Sequence, residues 1–543
     1  MISSTSHPGE LEKGSDDHGI EERYLDFTTP LPTLQNFGSA ECNKEAIKVH
    51  KDAARLVSPQ SWPASRKNFT MFVACVATVF ASVAPSSYSP GLDQISREFD
   101  RGRVETLTGV TIFTVGFAIT PMALAPISEV YGRKPVFTAT GILYVVTTLC
   151  CAVTNTFGGQ VYVELGIIHI LLLVSRFLAG VGSSTFSTMI GGLIADIYSS
   201  EERNTPMSLF SGSAVLGIGL GPLICGFIGQ YSTWRWIFYM QTIVNGTIVV
   251  VVIVFFQETR QVVMLRKKAR LLNEWHRKCK ESNASVSFYL PASSQYPEKS
   301  VSHIRWKVRE DDERKGIAET FLSSVTRPFL LLFKDPVVFT FSLWAAFSWS
   351  VLYICLSAVP LVFEDRYAFT LSQADSTFAS SCIGTILATS IGIYQDIAAR
   401  KRKLLPDSPE SRLWFVCAEG LLLPIGLFIF GWTCRSEIHW IAPTVGVGVA
   451  SAGIFFVYLA VFNYLADSYG QWASSAIAAQ SFCRNALGGC FPLVTKQMYV
   501  GMTYAGASSL LGGIAIALSI TPWVLVLYGH RIRERSPFMN ASR

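Results

Sequence analysis

Long apolar stretches alternate with polar connections from about residue 69 to residue 528. A helix needs about 20 apolar residues to cross the roughly 30 Å hydrocarbon layer of a bilayer. Twelve stretches fit that length, at 69–88, 106–126, 136–155, 166–190, 206–229, 236–257, 337–363, 372–394, 413–434, 440–463, 473–495 and 506–528. The pattern predicts an all-α membrane protein with twelve transmembrane helices, which we call the first to twelfth spans.

The longest polar connection between spans, 258–335, divides the helices into two groups of six. We therefore predict two six-helix bundles, over 67–257 and 336–529, joined by a central loop. The remaining segments, 1–66 and 530–543, are polar tails. The composition of the first tail predicts disorder, because it offers too few apolar residues for a core.

Lys and Arg residues concentrate in the connections that follow the even-numbered spans. Arg133 and Lys134 follow the second span, a basic run at 400–403 follows the eighth, and three arginines occupy 531–535. The positive-inside rule places these connections and both termini in the cytosol. The basic amphipathic stretch 265–275 predicts either a helix along the inner membrane surface or a solvated linker.

Composition narrows the possible functions. Half of the 543 residues are hydrophobic and 15% are charged, and the mean hydropathy of +0.35 excludes an ordinary soluble protein of this size. The net charge of +6 is not arranged as a basic, aromatic-rich stripe, so we expect no nucleic-acid partner. No Walker A, GxSxG or HExxH sequence occurs, which argues against an ATP-driven pump or an enzyme. A membrane receptor that binds a ligand without transporting it is the remote alternative to a transporter.

One charged pattern occurs after the second span and again after the eighth. Ala125, Glu129 and the Arg133-Lys134 pair have the same spacing as Gly392, Asp396 and the Arg400-Lys401 pair. An acid at a helix end can pair with a basic group in one conformation and release it in another. The alternative is ordinary positive charge at a cytosolic helix end. Recurrence in both halves favours a cytosolic gate, formed by Glu129, Gly132, Arg133, Lys134, Asp396 and Arg400.

The motifs that contain these residues resemble those of the major facilitator superfamily. The connection after the second span is similar to its signature loop, small-x-x-x-acid-x-x-Gly-Arg-Lys, and the sequence from Arg176 to Gly182 resembles its fourth-helix motif. A fifth-span motif resembles that of the twelve-helix drug:proton antiporters of fungal type, with Cys225 in place of a usual Gly. That motif contains Gly217, Gly221, Pro222 and Gly226. The resemblance covers roughly residues 66–536, whereas the outer connection at 156–173 looks longer than the family's.

The resemblance implies proton-coupled export of small amphipathic molecules, such as drugs, toxins, secondary metabolites or polyamines. Import of a nutrient by the same fold is the alternative. We expect a monomer in the plasma membrane, with the vacuolar membrane as a second possibility. Its partners would be a small-molecule substrate, protons and the lipid bilayer, and it would need no cofactor because the proton gradient supplies the energy.

Arg176 is the strongest candidate among the charged residues, because it lies near the middle of the fourth span. An arginine near mid-membrane costs about 2.5–3.5 kcal/mol on insertion scales, so it normally faces a cavity and has a function. The family likeness implies a role for Arg176 in coupling proton movement to substrate movement. The alternative is a structural arginine that donates hydrogen bonds to backbone carbonyls.

Further candidates lie in the second half of the chain. Glu419 is an acid within the ninth span, where it could carry a proton or reach the interface from a helix end. Arg484 and Gln480 share one face of the eleventh span, and we expect them to line or brace the cavity. For the substrate cavity, the sequence offers aromatic and polar side chains of the seventh and tenth spans: Trp344, Phe347, Tyr353 and Asn463.

Overall fold

We analysed a computed structural model of the full chain. The structure describes residues 21–29, 49, 52–154, 165–199, 201–281, 304–309, 317–402, 410, 413–469 and 472–540. Part of the predicted outer extension, 155–164, and most of the first tail lie outside the described residues.

Six membrane-spanning helices form the first half. Five of the spans are single helices that contain internal proline or glycine, and the fourth span continues into a second helix after Thr188. The six are Ala64–Ser86, Arg103–Tyr131, Arg133–Ala152, Leu165–Thr188 with Ile190–Ile197, Asn204–Tyr231 and Trp234–Phe255. A short 3-10 turn, Ser89–Gly91, and the helix Leu92–Phe99 follow the first span on the outer side.

The second half repeats this plan with more interruptions. Four of its spans are divided into two helices each. The six spans are Pro336–Tyr367, Leu371–Ser376 with Ala379–Arg402, Trp414–Glu419 with Leu422–Thr433, Ile441–Ser468, Ala473–Cys490 with Pro492–Met502, and Tyr504–Leu518 with Ile520–Arg535. The structure thus has the predicted spans in two groups of six.

Eleven helices in the described part of the chain are long and apolar enough to cross a membrane. The predicted eleventh span is not among them. Its first helix, Ala473–Cys490, carries Gln480, Arg484 and Asn485, and these polar side chains lower its hydropathy. All three are buried inside the protein, where neighbouring helices rather than lipid surround them.

The two halves meet along two helix pairs. Each pair joins one span of the first half to one of the second: the fifth with the eighth, and the second with the eleventh. Small residues let the backbones approach closely there. At the second pair, the Thr111 hydroxyl donates a hydrogen bond of 2.8 Å to the Gly489 carbonyl.

A small module outside the membrane joins the first tail to the central loop. Strand β1, Glu21–Tyr24, pairs in parallel with strand β2, Ile304–Lys307. Strand β2 packs against the helix Gln261–Glu281, whose Trp275 is fully buried, and Leu25 after β1 belongs to the same apolar cluster. Asn273 of that helix exchanges two hydrogen bonds with the backbone of Trp306. The apolar face of the basic stretch is therefore covered by protein, and 21–24 form a strand where the sequence predicts a disordered tail.

Candidate functional site

A cavity of about 390 Å³ separates the two halves on the inner side. The second, fourth and fifth spans line it from one half, and the tenth and eleventh spans from the other. Glu129 and Arg133, two residues of the predicted gate, belong to its wall. Its opposite wall includes Phe462, Ile477 and Ser481. The cavity is thus a path from the inner side to the interface between the halves.

The halves contact each other on the outer side. The Ser89 hydroxyl donates a hydrogen bond of 3.0 Å to the Leu356 carbonyl, which links the turn after the first span to the outer half of the seventh span. The Ser372 amide donates one of 2.7 Å to Gln230, which links the fifth and eighth spans. With the Thr111 hydroxyl bond to Gly489, these contacts close the outer side while the cavity lies on the inner side.

Arg176 is held inside the first half by carbonyls and aromatic rings. Its side chain is 1% exposed, with Nε donating to the Gly109 carbonyl at 3.2 Å and Nη1 donating to the Ala84 carbonyl at 3.3 Å. Its guanidinium carbon lies 4.8 Å from the Tyr88 ring centre and 4.6 Å from that of Phe113. Nη2 has no hydrogen-bond partner among the described residues.

These contacts agree with the structural role considered for Arg176 and leave one of its nitrogens without a described partner. Two of its nitrogens make structural bonds to backbone carbonyls, as the alternative reading expects. The third, Nη2, remains as a donor. An unpaired buried N–H of a charged group is costly, so an acceptor atom that entered here would bind favourably.

Arg484 has a similar environment in the second half. It is 1% exposed, and its guanidinium carbon lies 4.3 Å from the Trp349 ring centre and 4.8 Å from that of Tyr458. Nε and Nη1 lack hydrogen-bond partners in the described part of the chain, as does Nε2 of the neighbouring Gln480. The eleventh span therefore buries Gln480 and Arg484 on one face with unused donors.

Tyr353 of the seventh span is buried, and its ring packs beside Gly488 of the eleventh span. Each half thus contains one buried guanidinium beside aromatic rings. No ion pair of either arginine occurs within the described ranges.

The other predicted cavity residues have different surroundings. Trp344 is fully buried inside the second half, stacked on Phe341 and packed against Gly420 of the ninth span. Phe347 is 8% exposed within the central apolar cluster, and Asn463 is partly exposed next to Phe462 of the cavity wall. Glu419 is partly buried, and its Oε1 accepts no hydrogen bond from a described residue.

The gate sequence of the first half forms an ion-pair network through an acid that the repeat did not indicate. Arg133 Nε donates to Asp196 Oδ2 at 3.1 Å, and Arg260 Nη1 donates to Asp196 Oδ1 at 3.2 Å. Asp196 ends the fourth span, whereas Glu129 forms no ion pair among the described residues and lines the cavity instead. The signal that the sequence offered for Asp196 was its position, as an acid at the cytosolic end of the fourth span.

Gly132 allows Glu258 to cap the third span. The backbone of Gly132 has a φ of +106°, and an added side chain there would collide with the Glu258 carboxylate. That carboxylate accepts hydrogen bonds from the amides of Arg133 at 2.8 Å and Lys134 at 3.2 Å. A negative group at a helix N-terminus is favourable, so Gly132 and Glu258 fix the start of the third span.

The corresponding sequence of the second half bridges the two halves. Asp396 Oδ2 accepts from Arg400 Nε at 3.0 Å, and Asp396 Oδ1 accepts from Asn204 Nδ2 at 2.7 Å. Asn204 begins the fifth span, and Arg400 also donates to the Glu201 carbonyl. Asp396 and Arg400 therefore hold the inner ends of the fifth and eighth spans together.

The glycines of the fifth span lie on two faces of the helix. Gly217 and Gly221 pack against Val79 and Ser86 of the first span, within the same half. Gly219 and Gly226 pack instead against Cys382 and Asp375 of the eighth span. The motif therefore sets two close approaches, and one of them is the interface between the halves. Pro222 lies inside this helix, where it cannot donate a backbone hydrogen bond.

Asp375 is a buried acid that the sequence reading missed. It lies near the start of the eighth span, is 1% exposed, and its Oδ2 has no hydrogen-bond partner among the described residues. Its position at the beginning of an apolar stretch looks like that of a helix-end residue. The sequence signal for this site was Gly226 of the fifth span, but it becomes visible only when the fifth and eighth spans are known to pack together.

Known proteins are similar to this chain in sequence. The family model described as Major Facilitator Superfamily matches residues 72–492. The chain is 33% identical over 471 residues to the efflux pump FUBT of Fusarium oxysporum, covering 86% of this chain and 72% of the relative. It is 32% identical over 507 residues to the multidrug transporter mdrA of Aspergillus fumigatus, covering 92% and 77%.

Solved structures agree on the fold. The proton:xylose symporter XylE matches with a TM-score of 0.60 at 15% identity, covering 86% of this chain and 97% of XylE. The human organic anion transporter MFSD10 matches with a TM-score of 0.51 at 15% identity, covering 85% and 100%. The sequence motifs, the two six-helix halves and these matches lead to one assignment. The chain is a multi-pass membrane transporter that belongs to the Major Facilitator Superfamily.

Proposed function

We propose that this protein exports small amphipathic organic molecules in exchange for protons. The observation that carries the proposal is the arrangement of its halves, with a cavity on the inner side and contacts between the halves on the outer side. A substrate would enter this state from the cytosol. Relatives named efflux pump and multidrug transporter support the outward direction.

The buried arginines suggest which substrates fit. Arg176 and Arg484 carry unused N–H donors beside aromatic rings. A ligand with a carbonyl or carboxylate oxygen on an apolar, ring-containing body would satisfy these donors and stack on the rings. We expect such acceptor-bearing amphipathic molecules to be preferred over simple cations.

Arginine stays protonated at physiological pH, so Arg176 would assist coupling without itself carrying the proton. Glu419 remains the candidate carrier that the sequence offers, because it is a partly buried acid with one unpaired oxygen. The proposal also includes a monomer in the plasma membrane or the vacuolar membrane. No cofactor enters it, since the proton gradient supplies the energy.

Transport by inside-out vesicles tests the proposal. Vesicles from cells that overproduce the protein should accumulate a fluorescent carboxylate-bearing amphipathic dye when the lumen is acidified, and an uncoupler should release it. Vesicles with Arg484→Gln serve as the matched control, and we expect their accumulation to fall at least roughly tenfold, a loss of about 1.4 kcal/mol. Accumulation that is indifferent to the uncoupler would exclude proton coupling.

A further inference from the structure

The fifth and eighth spans form an antiparallel seam with a seven-residue repeat. Gly212 lies against Thr389, Gly219 against Cys382, and Gly226 against Asp375. Successive members are seven residues apart on both helices, which is the spacing that keeps one helix face on its partner. The seam is one of the two interfaces between the halves, and Asp375 occupies its outer layer.

No cation among the described residues pairs with Asp375 in this closed seam. A methyl group on Gly226 would lie 2.7 Å from Asp375 Oδ2, so the opposing backbone leaves no room for a counter-ion. The fifth and seventh spans pack against this part of the eighth span, and the titratable groups that they contribute near Asp375 are Cys225 and Glu364, neither of which is a cation. The Arg103 guanidinium is paired with Asp93 at 3.0 Å.

We propose that Asp375 is a proton-binding site that must be protonated for the outer end of the seam to close. An ionised carboxylate buried without a counter-charge is strongly unfavourable. Opening of the outer side would expose Asp375 to external water, where it can lose its proton. Closing would then require Asp375 to take up one proton from the outside.

The sign of the pH effect follows from this difference in bound protons. The closed outer side binds one more proton than the open one, so a falling external pH favours closing. In the proposed exchange cycle, on which this inference builds, an external proton would thereby promote the return of the empty transporter to the inward-facing state. Asp375 thus differs from Glu419, which lies in the ninth span away from this seam.

Amide hydrogen exchange of the protein in lipid nanodiscs tests the site without substrate or a proton gradient. The readout is the exchange rate of the outer ends of the two spans, 224–231 and 371–378, compared between wild type and Asp375→Asn at the same pH. At pH 7.5 we expect the variant to exchange at least about tenfold more slowly, because its neutral amide removes the cost of burying the charge. At pH 5.5 the difference should be smaller, because protons are then more available to the exposed carboxylate of the open state.

Two further variants make the result decisive. Glu437→Gln removes an exposed acid on the outer side and should match wild type at both pH values. Gly226→Ala forces the seam apart and should raise exchange at both. Equal exchange of wild type and Asp375→Asn at pH 7.5 overturns the proposal, as does an unchanged Gly226→Ala. A positive result stands even if export proves insensitive to an uncoupler.

Discussion

Replacement of Asp196 tests the inner ion-pair network. Its two oxygens accept from Arg133 and Arg260, and the Arg133 and Asp196 side chains are 5% and 8% exposed. Asp196→Asn would keep the shape but leave the Arg133 guanidinium buried, with the Ser128 hydroxyl as its remaining side-chain partner among the described residues. Removal of one member of a buried pair costs about 3–5 kcal/mol, so we expect that loss in the free energy of unfolding.

Detergent-induced unfolding of the purified protein measures this loss, and two variants calibrate it. Arg260→Gln removes a pair whose arginine is 28% exposed, so we expect a loss of about 1 kcal/mol or less. Glu129→Gln removes the acid of the signature loop, which forms no ion pair among the described residues, and should change stability by less than about 0.5 kcal/mol.

A double-mutant cycle separates the pair from its surroundings. Arg133→Gln combined with Asp196→Asn should cost less than the sum of the two single changes, because neither charge is then left alone. If Glu129→Gln destabilised the protein as much as Asp196→Asn, the assignment of Asp196 as the partner of Arg133 would be wrong. Strict additivity of the two changes would equally refute it.

Three other outcomes follow from the structure. Arg176→Lys should lower vesicle transport at least roughly tenfold, because the single nitrogen of an ammonium cannot occupy the three separate positions of the guanidinium nitrogens. Unchanged transport would show that these contacts are not needed for transport. Gly219→Leu should lower the melting temperature through a loss of about 1–3 kcal/mol, since the seam has no room for a side chain, and an unaltered melting curve would argue against a tight seam. Trp306→Ala should make the helix Gln261–Glu281 more sensitive to trypsin without lowering the melting temperature of the spans, whereas an equal fall of both would show that the module and the spans unfold together.

Much of the fold followed from the sequence because membrane spans have strong requirements. The twelve stretches, the two groups of six and the shared burial of Gln480 and Arg484 all reflect length, periodicity and the cost of charge in lipid. Periodicity did not indicate the breaks in the spans, such as the one after Cys490. The second helix there begins at Pro492, whose missing backbone N–H interrupts the helical hydrogen bonds.

The partners of the polar groups could not be predicted. Asp196 and Arg133 lie in different spans, and only the packed first half brings them together. The importance of Asp375 depends on its contact with Gly226 on the opposing helix. Strands β1 and β2 come from distant parts of the chain, and each is too short to stand out from polar surroundings. In each case, the missing information was which segments pack together.

The central claim is that the two halves move so that the interface opens alternately to either side. Cysteines at Ser89 and Leu356, which contact each other across the closed outer side, allow a direct test with a short thiol crosslinker that a reductant can cleave. Each single variant, treated identically, serves as the control. We predict that crosslinking abolishes vesicle transport and that the reductant restores it. Full transport by the crosslinked protein would contradict alternating access.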